Sequence, residues 1–78
     1  MRYSVVLQPE PEGAFTATVP LLPGCVTAGD TVEEALTNAR DAIQLFLESL
    51  AAHGEEIPKE AGPAQLAIVD VPGVQVAR

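Results

Sequence analysis

The stretch Val19–Leu50, VPLLPGCVTAGDTVEEALTNARDAIQLFLESL, combines a turn, a lone cysteine and a long amphipathic helix. Apolar residues in its second half recur at intervals of three, four and seven, which is the spacing of one face of an α-helix. Polar residues fill most of the positions between them. The remainder of the chain is therefore expected to pack against this helix. Its apolar stripe consists of Val32, Ala35, Leu36, Ala39, Ile43, Phe46, Leu47 and Leu50.

Thr31 and Glu34 predict where the helix begins. Their spacing is that of a capping box, in which the threonine oxygen accepts a hydrogen bond from a helix N–H and the glutamate reaches back to the cap residue. Acidic residues in this first turn also lie beside the positive end of the helix dipole. The helix is predicted to end near His53 and Gly54, because glycine readily takes the left-handed conformation that terminates helices.

Three short strands are predicted before the helix and one after it. Residues 2–8 and 14–19 alternate in polarity and flank a proline- and glycine-rich turn, a pattern typical of an antiparallel hairpin. The turn Pro20–Gly24 then leads to a third strand over residues 25–28. After the helix, apolar residues at about 65–71 predict a strand buried on both faces. The order is β-β-β-α-β, an α+β fold whose antiparallel sheet carries one long helix on one face.

The length and composition indicate a single domain spanning residues 1–78. Hydrophobic residues make up 47% of the chain, with only one Tyr and two Phe, so the core must be aliphatic. One helix covers only one face of such a sheet, and a chain this short buries only roughly 60% of its surface on folding. Self-association is therefore expected. Residues 74–76 are expected to form a short terminal strand or a frayed end.

The net charge of −7, from 11 acidic and 4 basic residues, argues against direct binding to nucleic acid. Such binding depends on Lys and Arg that neutralise phosphates, and the four cations here are scattered along the chain. A basic protein partner suits this charge better, although solubility alone also explains it. Neither a signal peptide nor an apolar run of membrane-spanning length is present, so we expect a soluble cytoplasmic protein without membrane contact.

No catalytic, metal-binding or cofactor-binding residues are predicted. Cys25 and His53 are the only cysteine and the only histidine, and they flank a helix that would separate them by roughly 33 Å. A pair so separated cannot share a proton, and one cysteine with one histidine makes a poor metal site. The first three strands contain no Asp or Glu, and Asp70 stands alone in the last strand. The carboxylates that a two-metal nuclease needs therefore do not converge.

A combined motif in residues 2–60 resembles the HicB-like antitoxin domain. Its centre is a Pro-Gly-Cys turn followed five residues after the cysteine by Asp-Thr-x-Glu-Glu-Ala. The residues of this centre are Pro20, Pro23, Gly24, Cys25, Gly29, Thr31 and Glu34. Further matches are Glu12-Gly13, Phe15, Asn38-Ala39, Gly54 and Ile57-Pro58.

The resemblance implies a partly degraded RNase H-like fold, a dimer or tetramer, and a protein partner. That partner would be a small basic HicA toxin, which cleaves mRNA with an active-site histidine on a double-stranded-RNA-binding-like fold. The antitoxin would cover that surface. Many relatives carry an acidic residue where this chain has Leu21. Longer relatives add a DNA-binding module, which Ala61–Arg78 is too short and too poor in cations to form.

Three hypotheses for function follow. The leading one is a non-catalytic antitoxin-like protein that masks a HicA-type toxin. The first alternative is an orphan homo-oligomeric domain with a regulatory or ligand-binding role and no toxin, and the second is a divergent metal-dependent nuclease. If a basic partner binds, its contacts are expected among the loop glutamates Glu10, Glu12, Glu55, Glu56 and Glu60.

Overall fold

The computed structural model describes residues 1–73, which form three strands followed by one helix. The strands are β1 (Val6–Pro9), β2 (Phe15–Thr18) and β3 (Val26–Gly29), and the helix is α1 (Val32–Ala52). The strands pair in the order β1-β2-β3, with both pairs antiparallel. The predicted α+β class, with a meander of three strands leading into one long helix, is confirmed.

The sheet presents one face to α1 and the other to solvent. Leu7 lies opposite Ala17, and both contribute to the packing against the helix. Successive side chains of a strand point to opposite faces, so the neighbouring row formed by Val6, Thr18 and Val26 points away from α1. Val26 is accordingly 55% exposed. One side of the sheet is therefore left without a covering layer.

The core consists of two clusters along the helix. In the first, Ala17 of β2 packs against Ala35 and Ala39 of α1, and these small side chains let the helix lie close to the sheet. The second lies beneath the later turns of α1 and contains the two largest fully buried side chains, Leu22 and Val19. The residues of the second cluster are Val19, Leu22 and Cys25, packed against Tyr3, Val5, Ala42, Ile43, Phe46 and Leu47.

The predicted capping box is present at the start of α1. The Thr31 hydroxyl oxygen accepts a hydrogen bond of 3.0 Å from the Glu34 amide, and the Glu34 carboxylate accepts one of 2.9 Å from the Asp30 amide. At the other end His53 is the C-cap residue, and Gly54 follows with φ of 69°. This positive φ is favourable for glycine and strained for other residues, which explains why the helix ends there.

The outer surface of α1 is largely polar but not uniformly so. Leu36 and Val32 belong to the predicted apolar stripe, yet they are 43% and 40% exposed because they lie at its margin. Leu45 lies outside the stripe and is 67% exposed. Within residues 1–73, no helix is long and apolar enough to cross a membrane.

The structure differs from the sequence-based prediction after the helix, because residues 65–71 do not form a fourth strand. They were expected to be buried on both faces, but Leu66, Ile68 and Val69 are 89%, 92% and 78% exposed. A run of apolar residues becomes a strand only when its amides and carbonyls find a neighbouring edge. No such pairing occurs within the described part of this single chain. The prediction for residues 74–76 lies outside the described residues.

Candidate partner-binding surface

The register of the sheet places the tip of the β1–β2 hairpin beside the start of α1. Phe15 lies opposite Pro9 on one side and opposite Gly29 on the other, so these three residues form one row at the end of the sheet. The hairpin turn extends beyond Pro9, and α1 begins three residues after Gly29. Acidic residues of the hairpin turn and of the helix start therefore gather at one end of the molecule.

This end carries five carboxylates, here called the hairpin-end acidic patch. No Lys or Arg occurs between Arg2 and Arg40, so nothing basic in that segment offsets them. Two of the five carboxylates are engaged locally. Glu10 accepts a hydrogen bond from the Thr16 hydroxyl at 2.6 Å, and Glu34 accepts one from the Asp30 amide in the helix cap. From the sequence, the helix-start acids were interpreted only through the cap and the dipole, and this grouping was missed. The members of the patch are Glu10, Glu12, Asp30, Glu33 and Glu34.

The other three predicted contact residues lie at the opposite end of α1. Glu55 and Glu56 are exposed just after the helix, whose 21 residues span roughly 30 Å. Arg2 and Lys59 line a cleft with Glu60, so this end has mixed charge. The structure thus does not bring the five predicted glutamates together into one site. It divides them between the two ends of the molecule.

Glu60 forms an internal contact that the sequence did not predict. Its carboxylate oxygens accept hydrogen bonds of 2.8 Å and 2.6 Å from the amide and the hydroxyl of Ser4. Nearby, the Tyr3 hydroxyl donates to the Pro58 carbonyl oxygen at 2.6 Å, and the Ala64 amide donates to the Ser4 hydroxyl oxygen at 2.9 Å. These bonds tie the connection after α1 to the start of the chain. Glu60 therefore has less freedom than Glu55 or Glu56 to meet a partner.

The two hydrogen bonds from Ser4 lower the pKa of Glu60 below its ordinary value of 4.5. A lowered pKa in the folded state means that Glu60 stabilises the fold above pH 4.5 and loses this effect as pH falls through the folded value. We expect Glu60→Gln to lower the urea midpoint at pH 7 and to differ much less from the unmodified chain at pH 3. Glu56→Gln, at an exposed residue, is the matched control. An equal Glu60→Gln deficit at both pH values would contradict this role.

Cys25 is a buried packing residue, but the predicted distance from His53 is wrong. The chain runs from Cys25 through β3 to the helix start, and α1 then runs back, so the cluster containing Cys25 lies beside Phe46 and Leu47. His53 is less than two turns beyond Leu47. His53 is exposed with Nδ1 2.7 Å from the Ser49 carbonyl oxygen, whereas Cys25 is 4% exposed.

The environment of the Cys25 thiol does not favour nucleophilic chemistry. Desolvation by burial raises the pKa of this thiol, which favours the protonated form over the reactive thiolate. Asp70, the acidic residue of the predicted last strand, is exposed. In the described range, no three His, Cys, Asp or Glu residues are placed to hold a metal ion together.

An apolar groove of about 570 Å³ runs between the N-terminal residues and α1. Tyr3 and Val5 line one side, and Leu36, Ile43 and Leu47 line the other. Two arginines, at positions 2 and 40, contribute to the same groove. The groove could accept an extended apolar segment or a small ligand. In the sequence, the groove is indicated by the apolar stripe of α1, which contains more apolar residues than a narrow sheet can cover.

Comparison with known proteins agrees with the resemblance seen in the sequence. The profile of the family described as "HicB_like antitoxin of bacterial toxin-antitoxin system" matches residues 3–74. A UPF0150 protein of Thermoplasma acidophilum is 43% identical over 60 residues, which cover 77% of this chain and 87% of that protein. Antitoxin HicB 1 of Photorhabdus laumondii is 43% identical over 72 residues, covering 92% of this chain and 46% of that protein.

A solved structure supports the same relationship. The N-terminal domain of antitoxin HicB from Burkholderia pseudomallei superposes with a TM-score of 0.71 at 27% identity, covering 80% of this chain and 73% of that one. Antitoxin HicB of Escherichia coli is 38% identical over 58 residues, which are 42% of its length. The match thus spans less than half of the two full-length antitoxins, and the region with the solved structure is an N-terminal domain.

Proposed function

The chain belongs to the HicB-like antitoxin family, and from this membership we propose that it is a non-catalytic antitoxin that binds and masks a small basic HicA-type toxin. The observation that carries the proposal is the likeness of its fold to the N-terminal domain of a HicB antitoxin, at a TM-score of 0.71. The mRNA-cleaving activity of such a toxin would be blocked when the antitoxin covers its RNA-binding surface. We place this interaction in the cytoplasm.

We propose that the hairpin-end acidic patch forms the main contact with the toxin. A surface that binds RNA must carry cations, and five carboxylates within a segment that contains no Lys or Arg are complementary to it. The acidic residues after α1 are a weaker candidate, because Arg2 and Lys59 lie among them. Complementary charge speeds association and makes the rate depend on salt concentration.

The test begins with the full chain as bait in a lysate of its own cell, at low and at high salt. We expect recovery of a basic protein that is lost at high salt. Once purified, that protein should cleave mRNA, and the full chain should abolish cleavage at one molar equivalent. Recovery of no partner, or cleavage that the full chain does not affect, would overturn the antitoxin proposal.

A pair of charge-reversal variants locates the contact. Glu12→Lys with Glu33→Lys changes the net charge from −7 to −3, and Glu55→Lys with Glu56→Lys makes the same change at the other end. We expect the first variant to slow toxin association about tenfold or more at low salt, and the second to have a much smaller effect. Equal effects would show that net charge matters and the patch does not. Circular dichroism checks that the Glu33→Lys change at the helix start leaves α1 folded.

The groove beside α1 favours a second candidate, an orphan homo-oligomeric domain with a regulatory or ligand-binding role. Its volume of about 570 Å³ falls within the range of small-molecule sites, and its walls are mostly apolar. This candidate predicts no co-purifying toxin and a small molecule retained by the purified chain. Native mass spectrometry would detect such a ligand. Both candidates include self-association as a dimer or tetramer, which the uncovered sheet face favours.

A further inference from the structure

The apolar groove beside α1 differs in charge from the chain as a whole. About one in seven residues of the chain is acidic, so ten lining residues would on average include one or more. Among the described residues, however, no Asp or Glu lines the groove, and two of the four cations of the chain do. These cations are Arg2 and Arg40. The groove is therefore a cationic site on a protein of net charge −7.

The groove exists because α1 does not lie centrally over the sheet. The helix approaches β3 closely at Gly29, where an added Cβ would lie 2.4 Å from the Ala35 amide nitrogen. The small side chains of the first core cluster hold the helix over β2 as well. The helix thus contacts β3 and β2 and makes few contacts with β1. Tyr3 and Val5 face the helix side but are only half-buried, and the groove is the space left beside them.

Hydrogen bonds fix the wall of the groove that the N-terminal residues form. The Tyr3 hydroxyl donates to the Pro58 carbonyl oxygen at 2.6 Å. The next residue, Ser4, donates from its amide and from its hydroxyl to the Glu60 carboxylate. These bonds hold the wall against the connection that follows α1. A site whose walls are ordered before the ligand arrives loses less entropy on binding, and small-molecule sites are usually preformed in this way.

The two arginines are available to a ligand. None of the side-chain hydrogen bonds within residues 1–73 involves Arg2 or Arg40. A guanidinium group presents its N–H groups as a planar fork, which matches the two oxygens of a carboxylate. The methylene stems of the arginines add apolar surface to the same walls. A carboxylate is thus the polar group that these walls select.

The apolar side chains determine the rest of the ligand. Leu36, Ile43 and Leu47 line the helix side, and from the first to the last of them the groove follows α1 for roughly 16 Å. Carbon–carbon geometry advances an extended alkyl chain by roughly 1.3 Å per bond, so a chain of roughly 8 to 12 carbons fits this length. The volume of about 570 Å³ also lies within the range of small-molecule sites.

We propose that the groove binds a free medium-chain monocarboxylate, with its carboxylate at Arg2 and Arg40 and its alkyl chain along Ile43 and Leu47. The inference deepens the ligand-binding role that the second candidate function gives to the groove, and it rests on that role. A neutral alkyl compound would leave the arginines without an anion. A short anion would leave the apolar walls in water. Both parts of the ligand are therefore needed for affinity.

The first measurement follows the ring signals of Tyr3, the only tyrosine of the chain, by NMR. The full chain is titrated with acetate, hexanoate, octanoate, decanoate and 1-octanol, below their micelle-forming concentrations. We expect saturable shifts with the longer carboxylates and about tenfold tighter binding for every two carbons added. Octanoate should bind at least about tenfold more tightly than 1-octanol, because only the anion accepts charge-assisted hydrogen bonds. Equal binding of these two, or binding independent of chain length, would overturn the proposal.

Two pairs of variants locate the site. Arg40→Gln removes a cation of the groove, and Gln8→Glu, at an exposed position of β1, gives the same net charge of −8. Leu36→Gln makes the wall polar, and Leu45→Gln makes the same change on the outer face of α1. We expect the two groove variants to weaken octanoate binding at least about fivefold and the two controls less than about twofold. Equal losses within either pair would overturn the assignment to the groove. Circular dichroism checks that all four variants keep α1.

Native mass spectrometry of the chain purified from its own cell separates this inference from the role on which it rests. A retained monocarboxylate supports both, whereas a retained molecule without a carboxylate would overturn this inference alone. The absence of any retained or titrated ligand would overturn both. Tyr3 signals that respond to protein concentration but not to octanoate would show a second copy in the groove, and would also overturn the inference. None of these measurements involves the toxin, so the antitoxin proposal is tested separately.

Discussion

Gly29→Ala is expected to lower the free energy of unfolding by about 3 kcal/mol, which is the upper range for inserting a methyl group into packed structure. Gly29 is buried, and an added Cβ would lie 2.4 Å from the Ala35 amide nitrogen and 2.8 Å from the Ala35 Cα. Both atoms belong to the backbone of α1 and cannot move aside by a change of rotamer. The helix start would have to shift away from β3. Urea unfolding measures this loss against a total of about 4–12 kcal/mol for a chain of this size.

Gly62→Ala is the matched control for this prediction. It adds the same methyl group where no atom lies within 4 Å of the new Cβ. Its effect should be small, or slightly stabilising because alanine restricts the unfolded chain. If the two variants unfolded at the same urea concentration, the close approach of Gly29 to α1 would have no energetic consequence. The comparison also tests how tightly the helix start is held, and the hairpin-end acidic patch depends on that position.

Local patterns in the sequence were sufficient for the parts of the fold that depend on neighbours in the chain. The capping box at Thr31 and Glu34 and the glycine stop at Gly54 need only residues three or four positions apart, and both are present. The alternation around Ala17 and Val19 likewise marked the buried face of β2. Such features follow from hydrogen bonding and side-chain period within one element.

Features created by chain reversal were not predictable in the same way. The packing of the cluster that contains Cys25 against Phe46 depends on α1 running back over β3, whereas the sequence-based distance followed the length of the chain instead. The grouping of Glu12 with Glu33 depends on the register of two strand pairs. Even the close contact of Gly29 is visible in the sequence only as a glycine before a helix. Long-range geometry decided the first two, and the Gly29 contact depends on the short turn between β3 and α1.

The segment at residues 65–71 illustrates a different limit. Its apolar composition predicts burial, and residues such as Ile68 are 92% exposed in the single chain. A sequence pattern indicates that a segment is buried, but it does not indicate whether the residues that bury it belong to the same chain or to another. The candidate contact residues have a similar weakness, because charge and exposure alone did not distinguish Glu12 from Glu60. The hydrogen bonds from Ser4 make that distinction.

Leu22→Ala is expected to lower the free energy of unfolding by about 2–5 kcal/mol, the range for removing a fully buried leucine side chain. Leu22 has no exposed surface and lies in the cluster that joins the β2–β3 turn to the later part of α1. The turn is held by its own backbone bonds, including those from the Leu22 amide to Val19 and from the Cys25 amide to Leu22. The turn therefore cannot collapse easily into the space left by the Leu22 side chain. We accordingly expect a loss of free energy in the upper part of this range.

Leu45→Ala makes the same chemical change on the outer face of α1, where the side chain is 67% exposed. Its expected effect is within about 0.5 kcal/mol, the usual size for an exposed position. Urea midpoints should be compared at one fixed protein concentration, because the stability of any self-associated form rises with concentration. Equal midpoints for the two variants would mean that the Leu22 cluster does not stabilise the fold. A large loss for Leu22→Ala alone would identify the β2–β3 turn, with the cysteine of the family motif, as a stabilising part of the core.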